Sequence, residues 1–484
     1  MLRLFSNDAV GRSPLGRREW LRMGGLAALG GVLGSGRPAW AAEPDSAARR
    51  LPGFGRARSV ILVYASGGQS QLDTWDPKPE APEGIRGEFR AISTAVPGIH
   101  LGEHLPQLAA LADRYTIIRS MSHDDLDHGS ATYLALTGRF HPKKSSNPRP
   151  RPTDLPTLGA VLKRVRPGGR FPYQAVHVNG PALVPELIAP GQDGGFLGRD
   201  YDPLVLDDVS SQPIAIPCLD PLPDLGASRL ESRASLRQQL DQACAALERD
   251  ASLADMNGLY RQAFDLLSKP QTRQAFDLAA EDPKLRERYG RHRPGQACLL
   301  ARRLVEAGVP LVNVIWSQSN RGQDKDPDST DAYGWDTHND IFYALKEHLL
   351  PRFDAGFSAL LTDLEQRGLL DTTLVLCMGE FGRAPRIAVE ANFAGRTPGR
   401  KHWASVYSIV AAGAGVGRGA VYGASDRIAA YPQSQPVSPC DVAATIFHAL
   451  GIDPAGHYQD RQGRPFAIAA GKPITGLWSS SVTT

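Results

Sequence analysis

Thr373-Leu374-Val375-Leu376-Cys377-Met378 runs directly into Gly379-Glu380-Phe381-Gly382-Arg383. Six residues of apolar or β-branched type with no polar alternation read as a strand buried on both faces of a parallel sheet. The residues that follow carry a carboxylate, Glu380, and a guanidinium, Arg383, to that strand's C-terminal edge. Open α/β sheets place their ligands at this edge. The same grammar extends in both directions. Val60 to Tyr64 is a second continuous apolar run, closed by Gly67 and Gly68, and Tyr115 to Ile118, Ala175 to Val178, Leu311 to Trp316 and Val406 to Ala411 are further strand candidates. Phe342, Leu345, Leu349, Phe353, Phe357, Leu360, Leu361 and Leu364 mark one face of a long helix stopped at Arg367-Gly368, one short step before the Thr373 strand. Shorter helices are expected from Leu105 to Leu111, from Leu126 to Leu136 (ended by Thr137-Gly138), and from Val442 to Leu450, with Asp441 as an N-terminal helix residue. Ser228 to Ala307 is rich in Ala, Leu, Arg and Gln and reads as a helical insertion or layer. The fold class is therefore α/β, a three-layer sandwich around a mostly parallel central sheet.

The N-terminus supplies an address. Arg17-Arg18-Glu19-Trp20-Leu21-Arg22 is a twin-arginine pattern, followed by a weakly apolar Gly/Ala-rich stretch to Leu33 and by Ala39-Trp40-Ala41, a small-x-small cleavage site. Residues 1–42 are expected to be a signal peptide handed to the twin-arginine export machinery, leaving 43–484 as a single periplasmic or extracellular domain with no membrane span. A net charge of +3 over 484 residues, with the basic residues scattered, excludes a nucleic-acid-binding footprint. Lys143, Lys144, Arg149 and Arg151 sit among prolines and read as a solvated loop. Five widely spaced cysteines leave at least one unpaired in an exported chain, and Cys377 in the buried strand is the expected one.

Ligand-type side chains gather in the predicted edge loops. Asp336 and His338 lie between the Trp316 strand and the long helix, Glu380 follows the Thr373 strand, and His402 precedes the Val406 strand. Carboxylates and imidazoles in this mixture suit an oxygen/nitrogen site for Zn²⁺, Mn²⁺ or Ca²⁺ rather than a thiolate site. Each of them taken singly has the alternative of a loop hydrogen bond. After the first strand, Gly67, Gly68 and Ser70 would let backbone amides approach an anionic substrate, or would form a tight loop capped by Asp73. Ser122-His123-Asp124-Asp125-Leu126-Asp127-His128-Gly129-Ser130 is dense in polar groups and opens a predicted helix, whose N-terminus favours anions. Arg383 either holds an anionic substrate bidentately or neutralises the carboxylates beside it. Trp75 and Trp403 read as packing, and the Gly-rich stretch Gly191 to Gly198 follows no convincing strand.

Leu62 to Pro79, His128 to Gly138, the Asp336/His338 pair, Gly379 to Arg383, His402 and the stretch from Ser438 to Asp453 together resemble a large uncharacterised family of twin-arginine-exported bacterial proteins, described as sulfatase-like or as a domain of unknown function. That family is similar to the alkaline phosphatase and sulfatase superfamily. The resemblance implies an alkaline-phosphatase-like sandwich, a divalent metal, and metal ligands drawn from Asp73, His123, Asp336, His338, Glu380 and His402. It also places the superfamily's nucleophile position on His128, counting back from Thr137-Gly138. Sulfatases carry Cys or Ser there and phosphatases Ser or Thr, so this chain departs from the pattern. Ser66 likewise stands near the superfamily's first metal-binding Asp, with Asp73 the nearest substitute.

The expected activity is exported, metal-dependent hydrolysis of sulfate or phosphate esters, on a small-molecule or polysaccharide substrate. His128, Ser130 and Arg383 are the catalytic candidates: Ser130 as an attacking hydroxyl activated by the metal, or His128 or His123 as ligand or general acid/base for direct attack by metal-bound hydroxide. The alternative from another class is a non-catalytic, degenerate member acting as a periplasmic binding or assembly protein. A metal-dependent isomerase or transferase of phospho-sugars is the third.

Overall fold

The computed structural model describes residues 46–211, 214, 270–322 and 330–479. The expected signal peptide, residues 228–269 of the expected helical insertion, Cys218 and Cys244 lie outside them. From 270 onward that insertion is helical, with helices at Pro270–Ala275 and Pro283–Tyr289.

The main sheet is built from β1 (Ser59–Tyr64), β2 (Tyr115–Met121), β3 (Ala175–Val178), β4 (Leu204–Leu206), β5 (Leu311–Ile315), β6 (Thr373–Met378), then, after a two-strand ribbon of β7 (Gly382–Arg383) and β8 (His402–Trp403), β9 (Tyr407–Ala412) and β10 (Ala420–Tyr422). The order across the eight strands is β10-β2-β9-β6-β1-β5-β3-β4. β1 pairs in parallel with β6 and β5, while β9 is the antiparallel member, set between β6 and β2. All six residues of β1 and of β6 are buried, as their continuous apolar runs require for strands covered on both faces.

The principal helices are α1 (His128–Thr137), α2 (Leu158–Val165), α3 (Arg293–Ala307), α4 (Leu350–Gln366) and α5 (Pro439–Ala449). Alternate residues of the central strands feed two separate cores. Ile61, Val63, Val375 and Cys377 face α3 and α4. Val60, Leu62, Leu374 and Leu376 face α2 and α5. Each large aliphatic side chain so buried contributes about 1.5–3 kcal/mol. Helix, sheet, helix is the expected sandwich. Ser438 and Asp441 form a capping box at the start of α5, and Cys298, Cys377 and Cys440 are free.

Two elements matter for the site. The helix α1 is buried at every residue, so it has no solvent face to orient it and projects its first residue, His128, into the protein. It stops at Gly138, whose left-handed φ of 66° brings it so near α5 that a Cβ there would stand 2.3 Å from Ala443 Cβ. The β7–β8 ribbon pairs Arg383 with His402 and Gly382 with Trp403, and so carries the loop after β6 back to the same edge.

Candidate metal centre

The C-terminal ends of β1 and β6 lie side by side, and the first residues beyond them fill the gap. Gly67 takes φ 114° and lies so close to the 335–336 backbone that a Cβ would meet Asp336 N at 2.4 Å. Trp335 N–H donates to Ser66 O (3.0 Å) and Asp336 N–H to Asn320 O (2.8 Å). These bonds press the Asp336 loop against the end of β1. Asp336 and Glu380 thus approach His128 from two sides.

The cluster centres on Asp336. His128 Nε2 stands 3.1 Å from Asp336 Oδ2, and His402 Nε2 and His338 Nε2 each stand 3.1 Å from Asp336 Oδ1. The two latter nitrogens are 2.9 Å apart. His402 Nδ1 lies 2.7 Å from the Leu126 carbonyl, which can only accept, so the ring's proton is on Nδ1 and Nε2 presents a lone pair. His128 Nδ1 lies 2.6 Å from Glu380 Oε1 and donates to it. His128 Nε2 faces Asp336 off the line that a ring N–H needs and makes no hydrogen bond, although it is buried.

Charge in this cluster is coupled. Burial works against a charged His128, but Asp336 and Glu380 outweigh it and lift its pKa to about 9. Burial also opposes an ionised Asp336, and His128 and Arg383 overcome it, holding the carboxyl well below its ordinary range. Burial first, and then the neighbouring His128, push His402 down to about 4, and burial lowers His338. A protonated His128 and the Arg383 guanidinium thus face the Asp336 and Glu380 carboxylates, and a divalent ion bound at His128 Nε2 would take the place of that proton. The ligand atoms of His128, Asp336 and His402 lie within 4.8 Å of one another, and this His/Asp/His group could bind a metal.

Several expected site residues are held elsewhere. Glu380 is a neighbour of the cluster rather than a free ligand: Oε1 accepts from Gly67 N–H (2.8 Å) and His128, and Oε2 accepts from Tyr64 O–H (2.9 Å), whose oxygen lies 2.9 Å from Thr132 Oγ1. Asp73, expected as a ligand, is instead locked in a bidentate pair with the buried Arg400 (2.8 and 3.2 Å) and accepts from Ser70 Oγ (2.5 Å). His123 accepts from Asp125 N–H at Nδ1 (3.1 Å) and donates from Nε2 to the Glu380 carbonyl (2.7 Å), so both of its nitrogens are occupied. Ser130 Oγ donates to Asp125 Oδ1 (2.6 Å) and accepts from Ser146 N–H (3.2 Å), so its hydroxyl is committed outside the cluster. Arg383 is fully buried; Nη2 donates to Asp336 Oδ1 (2.6 Å) and to the Gly67 carbonyl, Nε to Gly68 O (3.0 Å) and Nη1 to Arg400 O (3.3 Å). It neutralises the carboxylate rather than reaching outward. Gly67 and Gly68 accordingly serve the protein's own groups, Gly67 N–H bonding Glu380 and Gly68 lying so close beneath Phe381 that a Cβ would meet its ring at 2.8 Å.

Tyr64, Thr132 and Arg400 belong to this arrangement and carry no role in the sequence reading. Tyr64 ends the first strand on the same face as Leu62, and that alternation was the available signal. Arg400 had none beyond the need of a buried Asp73 for a cation.

The family profile described as protein of unknown function (DUF1501) matches residues 57–478, and the chain belongs to that family. No curated protein matches it. Among solved structures it is similar to Ps i-CgsB (TM-score 0.41, 10% identity, 87% of this chain and 76% of that one). It is also similar to a sulfatase from Pseudoalteromonas sp. (0.37, 13%, 91% and 72%) and to the lipoteichoic acid synthase LtaP from Listeria monocytogenes (0.37, 11%, 87% and 77%). Among the described residues no helix is long and apolar enough to cross a membrane.

Proposed function

We propose that this DUF1501 protein is an exported, metal-dependent hydrolase of sulfate or phosphate esters, working at the centre formed by His128, Asp336 and His402 with His338 beside them. The observation that carries the proposal is the convergence of His128, Asp336 and His402 on the C-terminal edge of the sheet, with ligand atoms within 4.8 Å of one another. Three imidazoles and one carboxylate suit Zn²⁺ or Mn²⁺; Ca²⁺ prefers an all-oxygen shell. When bound, such an ion supplies Lewis-acid polarisation of an ester oxygen and acidification of water. The chain's own residues do the rest. Glu380 orients His128 through Nδ1, Leu126 O orients His402 through Nδ1, and Arg383 holds Asp336 and offsets its charge.

With Ser130 turned toward Asp125, attack by water is the route that fits these residues. The same commitment of Ser130, and of Arg383 to protein acceptors, favours a second reading: a non-catalytic family member that keeps the ion for binding or assembly in the periplasm. The twin-arginine leader and the polysaccharide or small-molecule ester substrate are parts of the proposal that rest on sequence.

The test is metal analysis of the purified protein together with turnover of aryl sulfate, phosphate monoester and phosphodiester substrates by wild type and His402→Ala. Bound metal and turnover, both lost in the variant, support the hydrolase. Bound metal without turnover on any ester supports the second reading, and metal-free protein that takes up none contradicts both.

A further inference from the structure

His402 is the most exposed member of the cluster, its side chain 18% accessible against 5% for His128, 9% for Asp336 and 6% for His338. The opening of the site is therefore at His402. Two residues that touch the cluster carry exposed apolar side chains. Leu126, whose carbonyl holds His402 Nδ1, is 47% exposed, and Phe393 is 41% exposed. Phe393 is stacked flat on His338, with ring centroids 3.7 Å apart and planes 5° from parallel. One face of the phenyl ring is used by His338, and the rest looks outward beside the opening.

This aromatic is placed there by a built support. Asn339, the residue after His338, is fully buried; its Nδ2 donates to the carbonyls of Glu390 (2.9 Å), Phe393 (3.2 Å) and Ala394 (3.0 Å), and its Oδ1 accepts from Glu390 N–H (2.8 Å). Asp340 adopts the left-handed φ of 52° and accepts from the backbone N–H of Arg396 (3.1 Å) and Thr397 (2.7 Å) and from the Thr397 hydroxyl (2.6 Å). These bonds fix the 390–397 backbone, and with it the Phe393 ring, against His338.

We propose that Phe393 forms a subsite for a flat apolar group, so that the preferred substrates are esters whose alcohol portion presents an aromatic or similarly planar face. This rests on the metal-dependent esterase reading for the anionic half of the substrate, while the rim itself rests on Phe393. The acid group reaches the His128/Asp336/His402 centre, and the planar group lies against the free face of the Phe393 ring. One aromatic contact of this kind is worth about tenfold in affinity.

The experiment compares two unreactive anions with the same head group, phenylphosphonate and methylphosphonate, and a neutral planar probe, phenol, on the zinc-supplemented full chain. Wild type is expected to bind phenylphosphonate about tenfold more tightly than methylphosphonate. Phe393→Ser is expected to bring that ratio to about one, and Phe393→Tyr to restore it. Equal affinities in wild type, or a ratio indifferent to Phe393→Ser, overturn the inference. Phenol bound by wild type and lost in Phe393→Ser, with neither phosphonate bound, upholds the rim and contradicts the esterase reading. Binding of none of the three overturns both.

Discussion

His128 Nδ1 and Glu380 Oε1 meet at 2.6 Å in a space closed to solvent, and the contact decides which ring nitrogen is left to face Asp336. Glu380 holds three donors in all, from Tyr64, Gly67 and His128. On the proposed metal-centre reading, Glu380 aims the His128 imidazole, as carboxylates commonly do behind metal-binding histidines.

Glu380→Gln is accordingly expected to weaken zinc binding about 10–100-fold in a competition titration with a chelating dye, without removing the site. Glu380→Ala also strips the acceptor from the buried Gly67 N–H, which costs about 1–3 kcal/mol when left unpaired, while Tyr64 O–H can still turn to Thr132 Oγ1. Urea unfolding is expected to show that additional loss for Ala. A Glu380→Gln protein with wild-type zinc affinity would contradict the aiming role.

Asp73 and Arg400 form a buried ion pair that ties the loop after β1 to the ribbon β7–β8. Arg400→Ala leaves the Asp73 carboxylate uncompensated, and the expected loss of stability is about 3–5 kcal/mol. Asp73→Asn is expected to lower the midpoint of urea unfolding while zinc stoichiometry stays at the wild-type value. Loss of bound zinc in Asp73→Asn, in protein still folded by circular dichroism, would return Asp73 to the ligand set.

His177 on β3 is buried beside Asn313 of β5, and burial lowers its pKa from 6.5 to about 4. The sign follows from proton counting: between about pH 6.5 and 4 the unfolded chain binds a proton that the folded chain refuses, so stability falls as pH drops through this window. At one unit per 1.36 kcal/mol the loss from this residue approaches about 3 kcal/mol at the acid end. His177→Leu is expected to flatten the acid limb of a stability-versus-pH profile measured by urea unfolding; an unchanged slope would contradict the assignment.

Chelation tests the ion's contribution to the fold. An ion bound only by the folded chain stabilises it by about 2.7 kcal/mol at a free concentration one hundred times its dissociation constant. Treatment with a chelator is expected to lower Tm, zinc to restore it, and His402→Ala to abolish the difference.

Much of this architecture was legible from local pattern. Val60 to Tyr64 and Thr373 to Met378 announced themselves as doubly buried strands because nothing polar interrupts them, and the helix from Phe342 to Leu364 was marked by its apolar face, although Ala344–Leu349 within it is wound as a π-helix. The antiparallel setting of β9 was not readable, since pairing direction leaves no trace in one strand's composition. Which polar side chains gather at the sheet edge was half legible for a similar reason. Residue type and loop position singled out Asp336, His338, His402 and His128, whereas hydrogen-bond partners decide roles, and these come from afar: Arg400 is 327 positions from Asp73 and Tyr64 is 316 from Glu380. Asp73, His123 and Ser130 are engaged by Arg400, the Glu380 carbonyl and Asp125, partners that local sequence does not announce.

The central claim is that His128, Asp336 and His402 hold one divalent ion. The most direct test is anomalous diffraction from zinc-soaked crystals. One peak about 2.0–2.2 Å from His128 Nε2, His402 Nε2 and an Asp336 carboxylate oxygen is the predicted result. A fully occupied zinc bound elsewhere, with this cluster closed on its own hydrogen bonds, would contradict it.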